Sequence, residues 1–372
     1  MTLRVAILGC GKIADQHVHA LRRIPGNELV ALCDRELLMA KQLGERFRIK
    51  ACYADSEQML REVAPDVVHI TTPPQGHFPL ARQCLEAGCH VYIEKPFTIT
   101  APEAEELIQL AEQRSRKIIA GHNLQFTLEM LDMRKAVADG FLGGRPVHLE
   151  SHFSYSLEDT SYVGPILGNR NHWVRQLPGQ LFHNIVSHGL SKLAEFLDSD
   201  IVEIVASAHQ SEQLRSMGGD EIKDELRVHL RDARGTTAYF CFSTQLKPGI
   251  NQLRIFGPAA TLVVDHGSGS IIRLPNRSAK SYLTYFVPPL RLAREHFRNS
   301  RRNVWRFLRR KLYQDAGMKE MIEQFYRSIQ TSSPPPLPYR EILLTARLMD
   351  EIFRQIRPAG GAARVEDRRR EG

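Results

Sequence analysis

The sequence of 372 residues predicts two domains: an N-terminal α/β domain with a doubly wound parallel sheet, and a C-terminal α+β domain with a largely antiparallel open sheet. The chain is longer than one hydrophobic core usually supports. Up to residue 121, Val/Ile/Leu-rich runs alternate with helix-period segments, which is typical of strands buried on both faces. Beyond that point, alternating runs favour a sheet with one solvated face. We therefore expect domains over 1–121 and 122–357, and a flexible tail over 358–372.

The strands are predicted from short runs rich in β-branched residues, and the helices from 3.6-residue periodicity. A capping box at Thr100 and Glu103 marks the start of one helix. Helices near 179–198, 315–330 and 339–356 are expected to cover the second sheet. The predicted strands are RVAILG, ELVALCD, DVVHITT, HVYIEK and KIIAGHN in the first domain, then PVHLESHFSYS, DIVEIVASAHQ, DELRVHLRD, TTAYFCFST, NQLRIFG and ATLVVDHG.

The composition is that of a soluble globular protein, with 42% hydrophobic and 25% charged residues. The sequence has no run of about 20 apolar residues and enters a strand-like stretch at once, so we expect a cytoplasmic protein. The six cysteines form no C-x-x-C pair, which favours reduced thiols over disulfides or zinc ligands. We predict no metal site.

The turn after the first strand has the pattern G-x-G-x-x-A, formed by Gly9, Gly11 and Ala14. The first glycine permits a tight turn, the second lets the backbone approach a diphosphate, and the small third residue lets helix and strand pack closely. The helix N-terminus favours an anion. This turn, with Lys12 and Ile13, therefore predicts a site for a dinucleotide, NAD or NADP, in a Rossmann domain.

The end of the second strand carries Asp34, 25 residues after Gly9. An acid here accepts hydrogen bonds from ribose hydroxyls and repels a 2′-phosphate, which favours NAD over NADP. Arg35 weakens that preference because a guanidinium can pair with a 2′-phosphate. An ordinary turn aspartate is the alternative.

Two further loops follow predicted parallel strands, at the edge of the sheet where ligands bind. One contains Thr72, Pro73, Pro74 and His77, which we expect to contact the dinucleotide. The other contains Glu94 and Lys95, followed by a proline, and we expect this loop to contact the dinucleotide as well. A lysine here can point into a cleft, where desolvation lowers its pKa. The alternative is an ion pair with a neighbouring carboxylate.

The order and spacing of five segments resemble those of the glucose-fructose oxidoreductase/inositol dehydrogenase/MocA (Gfo/Idh/MocA) family. The most discriminating element is E-K-P, and the resemblance extends to about residue 265 and resumes in the final helix, with 266–313 as a departure. The segments are GCGKIA, CDR, TTPPQGHFPLA, HVYIEKP and GHNLQF.

The resemblance implies hydride transfer between a nicotinamide and a sugar or cyclitol carbon that bears a hydroxyl. It also implies a homo-oligomer formed through the open C-terminal sheet. The family's E-K-P lysine corresponds to Lys95, and its second-domain histidine, in a D-x-G-x-H-x-x-D pattern, corresponds to His188. Where the family often has acids, this sequence has Asn184 and Ser191, so Asn184 supplies no charge to orient a base or raise its pKa.

A helical projection of residues 182–197 places His188 on a polar, nearly uncharged face together with Asn184 and Ser191. Such a face is better explained as the lining of a cleft than as a solvated surface. His183 lies about 140° around the helix, which disfavours a shared metal ion. We predict His188 as general acid/base and Lys95 as its partner on the same oxygen, with His183 as the minority alternative.

The substrate is expected to contact residues around this cleft. A loop before the helix, NRNHWVRQLPG, offers cations for a phosphate or carboxylate; the alternative is a solvent-facing basic loop. The predicted substrate-binding residues are Lys95, Asn123, Arg170, Trp173, Arg175, Asn184 and His188.

These features favour an NAD(P)-dependent oxidoreductase that acts on a secondary alcohol of a sugar, and a nucleotide sugar used in polysaccharide biosynthesis is the more specific hypothesis. Two alternatives stay open: a glycosidase of the same family that oxidises its substrate transiently, and a non-catalytic dinucleotide sensor or scaffold, which Asn184 and Ser191 keep possible.

The net charge of +8 equals the excess of positive over negative charge in residues 290–313, which contain nine Lys/Arg and one Glu. We interpret 288–313 as a basic helical insertion with an apolar stripe that includes Phe297, Trp305 and Leu308. The stripe packs on its own domain or a sister subunit, or it lies on an anionic membrane at the inner face. The charge is confined to one helix without an aromatic stacking platform, which disfavours nucleic acid.

Overall fold

The computed structural model describes residues 2–158, 160–218, 221–276, 281–312 and 315–357. Within these residues the chain forms two sheets, and each sheet has its own hydrophobic core. The predicted tail lies outside the described residues.

The first sheet is parallel, with six strands in the order β3-β2-β1-β4-β5-β6. The five predicted strands are confirmed. The sixth, β3, was not predicted because a two-residue strand has no periodicity. The strands are β1 (Leu3–Leu8), β2 (Asn27–Cys33), β3 (Cys52–Tyr53), β4 (Val67–Ile70), β5 (His90–Ile93) and β6 (Ile118–Ala120).

Helices follow the strands of the first sheet, as the doubly wound pattern requires. The predicted capping box is present: the side chain of Thr100 accepts a hydrogen bond from Glu103 N, and the Glu103 carboxylate accepts one from Thr100 N. The helices are α1 (Lys12–Leu21), α2 (Leu37–Phe47), α3 (Ser56–Val63), α4 (His77–Glu86) and α5 (Ala101–Gln113), with 3-10 turns at Pro74–Gly76 and Asn123–Phe126.

The second sheet has seven strands in the order β13-β12-β11-β7-β10-β9-β8. Neighbours are antiparallel except β7 and β10, which are parallel. The six predicted strands are confirmed, and β13 is additional. The strands are β7 (His148–Ser154), β8 (Val202–His209), β9 (Glu225–Asp232), β10 (Thr237–Ser243), β11 (Asn251–Phe256), β12 (Ala260–Asp265) and β13 (Ser270–Pro275).

The helix predicted over 179–198 is two helices that meet at Val186. The helices that follow the first domain are α6 (Leu128–Ala138), α7 (Thr160–Gly168), α8 (Trp173–Gln176), α9 (Gln180–Ile185), α10 (Ser187–Ala194), α11 (Glu212–Ser216), α12 (Val287–Leu308), α13 (Ala316–Gln330) and α14 (Tyr339–Ile356), with a 3-10 turn at Ser281–Tyr285.

The expectation that all three long helices cover the second sheet is wrong for α13. Its buried side chains, among them Met321, Ile322 and Phe325, belong to the core of the first domain. Helix α14 contributes to both cores, through Ile342 to the first and Ile352 to the second. Helix α14 therefore joins the two domains. Among the described residues, no helix has both the length and the apolar character needed to cross a bilayer.

Candidate active site

A cavity of about 590 Å³ lies at the carboxyl ends of the first domain's strands. Gly9 has φ +96°, and a Cβ there would stand 2.7 Å from Thr72 N, so only glycine fits. Gly11 precedes α1, and a Cβ built on it meets nothing within 4 Å, so this space is open. Ala14 is fully buried and lets α1 pack on β1, Ile13 is partly buried, and Lys12 is exposed.

Asp34 and Arg35 both line this cavity. The Asp34 carboxylate accepts hydrogen bonds from Cys10 N at 2.7 Å and from Glu36 N at 2.9 Å. These bonds hold the carboxylate at the end of β2, where an anion disfavours a 2′-phosphate. Arg35 is exposed at the rim of the cavity.

The loop after β4 places Thr72 and Pro73 on the cavity wall, and Pro74 begins a 3-10 turn behind them. Thr72 Oγ1 is buried and has no hydrogen-bond partner among the described residues, as expected of a group that meets a ligand. His77 is fully buried, and its ring nitrogens contact the carbonyl oxygens of Thr72 and Pro96, each at 2.9 Å. His77 therefore supports the two loops and does not face the dinucleotide cavity, contrary to our expectation.

Glu94 was predicted to contact the dinucleotide, but it is buried inside the first domain. Its Oε1 lies 3.0 Å from His17 Nε2. His17 contacts His69 through their Nδ1 atoms at 2.8 Å, and His69 Nε2 contacts the Tyr326 hydroxyl at 2.8 Å. Burial alone would raise the pKa of Glu94, but the hydrogen bond with His17 lowers it. Sequence reasoning missed this chain because its members come from four separate segments.

Lys95 reaches across to the second domain. Its Nζ donates to Asn184 O at 3.0 Å and contacts Asn184 Oδ1 at 3.5 Å. Burial lowers the pKa of Lys95, although the neighbouring Glu94 carboxylate opposes that shift. The ammonium therefore does not form the side-chain ion pair that was the alternative prediction, and it stands beside the predicted substrate face of α9 and α10.

His188 lies one turn after Asn184 on this face and is half-buried. Its ring stacks on the ring of Phe153, with the two centroids 5.8 Å apart. Its Nδ1 is buried without a hydrogen-bond partner among the described residues. Burial, and then the positive charge of Lys95, hold its pKa well below the usual range. The imidazole is thus neutral and able to accept a proton.

The other histidine of the helix pair occupies a different environment. His183 is buried and stacks on Phe353 with ring centroids 5.0 Å apart. Burial lowers its pKa to about 4. His183 therefore packs against α14.

Comparison with known families agrees with this geometry. Residues 3–122 match the family described as "Oxidoreductase family, NAD-binding Rossmann fold", and residues 130–263 match its "GFO/IDH/MocA C-terminal domain". The chain belongs to the Gfo/Idh/MocA oxidoreductase family.

Two curated proteins and one solved structure show what this chain is similar to. D-glucoside 3-dehydrogenase of Escherichia coli is 38% identical over 143 residues, which is 38% of this chain and 40% of that protein, so the match spans less than half of either. D-apiose dehydrogenase of Paraburkholderia graminis is 25% identical over 77% of this chain and 73% of its own. The structure of UDP-N-acetylglucosamine 3-dehydrogenase GnnA from Acidithiobacillus ferrooxidans has the same fold, with TM-score 0.72, 19% identity and coverage of 96% and 98%.

A cluster of buried polar and charged residues lies beside His188, and it was not predicted from the sequence. Lys192 is fully buried and donates to Asn251 Oδ1 at 2.9 Å; burial lowers its pKa to about 7. Glu129 accepts from His266 Nδ1 at 2.8 Å. Lys192 could have been found, because it follows His188 by four residues on the same helix face. Glu129 and His266 come from distant segments and left no sequence signal.

The remaining predicted substrate-binding residues do not form one cluster with each other. Asn123 accepts from the Tyr92 hydroxyl at 2.9 Å on the 3-10 turn that touches α10. Trp173 O accepts from Gln75, a residue of the dinucleotide cavity, at 3.1 Å.

The two predicted arginines line another cavity, of about 500 Å³. Arg170 is exposed there. Arg175 donates to the carbonyl oxygens of Ile166 at 2.7 Å and Leu167 at 3.3 Å, so its guanidinium supports the end of α7. Lys95 and His188 are not among the residues that line this cavity.

Proposed function

We propose that this chain is an NAD(P)-dependent dehydrogenase that oxidises a secondary alcohol of a sugar. The observation that carries the proposal is the contact between Lys95 Nζ and Asn184, at 3.0 Å and 3.5 Å, with His188 one turn further along the same face. This arrangement faces the edge of the sheet that also forms the glycine-lined cavity. The names of the E. coli and P. graminis relatives, both sugar dehydrogenases, support the same reaction class.

A dinucleotide held at the glycine-lined turn would supply the hydride acceptor for the carbon that bears the hydroxyl. The neutral ring of His188 takes the hydroxyl proton as the carbonyl forms. The Lys95 ammonium donates a hydrogen bond to the same oxygen and stabilises its developing negative charge. Asn184 orients the ammonium and leaves His188 without the neighbouring carboxylate that other members have.

The chain's residues fit a dinucleotide at the glycine-lined turn. The open space at Gly11, the strained Gly9 and the partnerless hydroxyl of Thr72 together offer a close backbone approach and a free donor to a diphosphate. Asp34 supports NAD as the preferred form, because its oriented carboxylate would repel a 2′-phosphate.

A nucleotide sugar is the narrower form of this proposal. It rests on the positive charge of Arg170 in the 500 Å³ cavity, since a phosphate is a suitable partner for a guanidinium. Comparing kcat/KM for a UDP-hexose and for the free hexose tests it. A preference for the UDP-hexose that disappears in Arg170→Gln supports the narrower form, and equal values in the wild type contradict it.

The test of the main proposal is the absorbance of NADH at 340 nm during incubation with NAD and a panel of hexoses, hexuronates and UDP-sugars. An increase with at least one sugar supports a dehydrogenase. Bound NAD, seen by mass spectrometry, with glycoside cleavage and no net NADH would instead indicate the glycosidase. Bound NAD without turnover of any sugar would indicate a sensor or scaffold.

We also propose that the outward face of the second sheet joins copies of this chain. Its central residues, Glu150, His152 and Arg254, are half-buried; Glu150 forms a hydrogen bond with His152 at 3.3 Å and an ion pair with Arg254 at 3.4 Å. Sedimentation velocity tests this: a dimer or larger species that Glu150→Arg dissociates is expected, and a monomeric wild type contradicts it.

A further inference from the structure

Helix α12 is attached to its own domain by its polar side. Asn299, only 4% exposed, donates to Ile271 O at 2.8 Å and accepts from Ile271 N at 3.1 Å, which extends the edge of β13. The Glu295 carboxylate accepts from Arg273 N at 3.2 Å. An amphipathic helix normally turns its apolar side to the core, so this orientation is the reverse of the usual one.

Two arginines reinforce the same inward side. Arg302 and Arg306 both donate to the Asp132 carboxylate on α6, the second at 3.0 Å. Both guanidinium groups are mostly buried, with side-chain exposures of 22% and 12%. Because hydrogen-bonded and paired charges fix this face, the helix cannot rotate its apolar side inward without breaking them.

The opposite side of α12 is an outward stripe of large apolar residues. At 100° per residue they span an arc of about 100°, and they extend over about 27 Å of helix. Each is half-exposed or more, between 50% and 72%. The stripe consists of Leu290, Phe297, Val304, Trp305 and Leu308.

Exposed arginines lie within and beside this stripe. At the same 100° per residue, Arg294 and Arg301 fall inside its arc and Arg298 lies just outside it, and the Arg309 guanidinium stacks over the Trp305 ring at 3.5 Å. A single exposed apolar residue needs no explanation, but a stripe of large apolar residues interspersed with cations is typical of an interaction surface.

We propose that α12 lies on an anionic lipid surface, with the stripe among the headgroups and the arginines on lipid phosphates. Charge complementarity selects this occupant, because an acidic bilayer surface attracts each cation by about 1 kcal/mol. A second copy is disfavoured, since a symmetric contact would set the same arginines against each other. The expectation that the stripe packs on its own domain is wrong, because the polar side occupies that position.

Flotation with vesicles tests this proposal on the full chain. We expect the protein to float with vesicles of phosphatidylcholine and phosphatidylglycerol but not with phosphatidylcholine alone, and to dissociate as the salt concentration rises. The double variant Phe297→Ser/Leu308→Ser should lose at least ~10-fold in partitioning. Arg294→Gln/Arg301→Gln removes two cations and should also weaken binding, by about 30-fold.

The matched control is Leu38→Ser/Val147→Ser, which removes two apolar residues that are 65% and 50% exposed outside α12 and outside the strands of the second sheet. This control should float like the wild type, and circular dichroism should show that all variants are folded. Absence of flotation with phosphatidylglycerol, or equal flotation of wild type and Phe297→Ser/Leu308→Ser, would overturn the proposal. A dimer that this variant dissociates, without lipid binding, would overturn it in favour of a second copy.

Discussion

The two halves of the candidate site are built in different ways. The dinucleotide half consists of turns that follow consecutive parallel strands, and its key features are backbone space at Gly9 and Gly11 and the oriented carboxylate of Asp34. The substrate half depends on side chains from separate segments, Lys192 and Glu129 among them, buried close to His188. The first half is encoded in short motifs, whereas the second exists only once the chain has folded.

The largest expected effect is at the point where the halves meet. Lys95→Ala and His188→Ala should each lower turnover at least ~100-fold, because the first removes the donor to the developing alkoxide and the second the proton acceptor. Dinucleotide affinity should stay the same, since neither side chain forms the glycine-lined turn. Steady-state kinetics and a dinucleotide titration measure both.

The matched control is His183→Ala, which removes a histidine that stacks on Phe353. This variant should keep near-normal turnover at a temperature where it is folded. Normal turnover in His188→Ala with loss in His183→Ala would show that the wrong histidine was assigned.

Two glycine substitutions test the dinucleotide half: one adds backbone strain, and the other fills the space expected for the ligand. Gly9→Ala should lower the free energy of unfolding by about 1–2 kcal/mol, because of its φ of +96° and the contact with Thr72 N. Gly11→Ala should leave stability unchanged and still weaken dinucleotide binding at least ~10-fold, because its Cβ enters the open space where a diphosphate would lie. Thermal unfolding and calorimetric titration distinguish the two; unchanged affinity in Gly11→Ala would contradict the assignment of this space.

Cofactor preference should change by a smaller factor. Asp34→Asn keeps a hydrogen-bonding side chain but removes the charge, so the ratio of kcat/KM for NAD to that for NADP should fall about 5-fold. Glu36→Gln also removes a charge from the cavity wall and serves as the control, with little change expected. An unchanged ratio in Asp34→Asn would indicate an ordinary turn aspartate.

The smallest effect concerns the pH dependence of the substrate half. Neutral His188 is the proton acceptor, so activity is lost as the pH falls through its pKa. That pKa is depressed by burial first and then by charges that include Lys192, whose own pKa of about 7 keeps it protonated in that acidic range. Lys192→Met should raise the pKa of His188 and move the acid limb of kcat/KM to higher pH.

The exposed lysine variant Lys135→Met is the control for this measurement and should leave the profile unchanged. An acid limb that stays in place or moves to lower pH in Lys192→Met would show that the lysine does not act on His188.

The sequence predicted those parts of the molecule that local patterns encode. The parallel strands, the capping box at Thr100 and the fold class follow from periodicity and short motifs. The buried positions of the Glu94 and His77 side chains could not be predicted, because tertiary packing decides whether a polar side chain faces a ligand or a neighbouring loop.

The same limit applies to α12. The sequence predicted that α12 is amphipathic, but it did not predict which side of the helix contacts the domain. A helical projection gives no information on which face contacts Asp132 and the edge of β13. The placement of α13 on the first domain is another tertiary result that periodicity alone does not encode.

The most direct test of the central claim follows the hydrogen itself. The sugar that gives the fastest NADH formation is supplied with deuterium on its carbons, and the nicotinamide is analysed by mass spectrometry after a single turnover. We expect one deuterium on the nicotinamide ring in the wild type, and labelling of the ring at least ~100-fold more slowly in Lys95→Ala. Consumption of the sugar by the wild type with an unlabelled nicotinamide would contradict hydride transfer at this site.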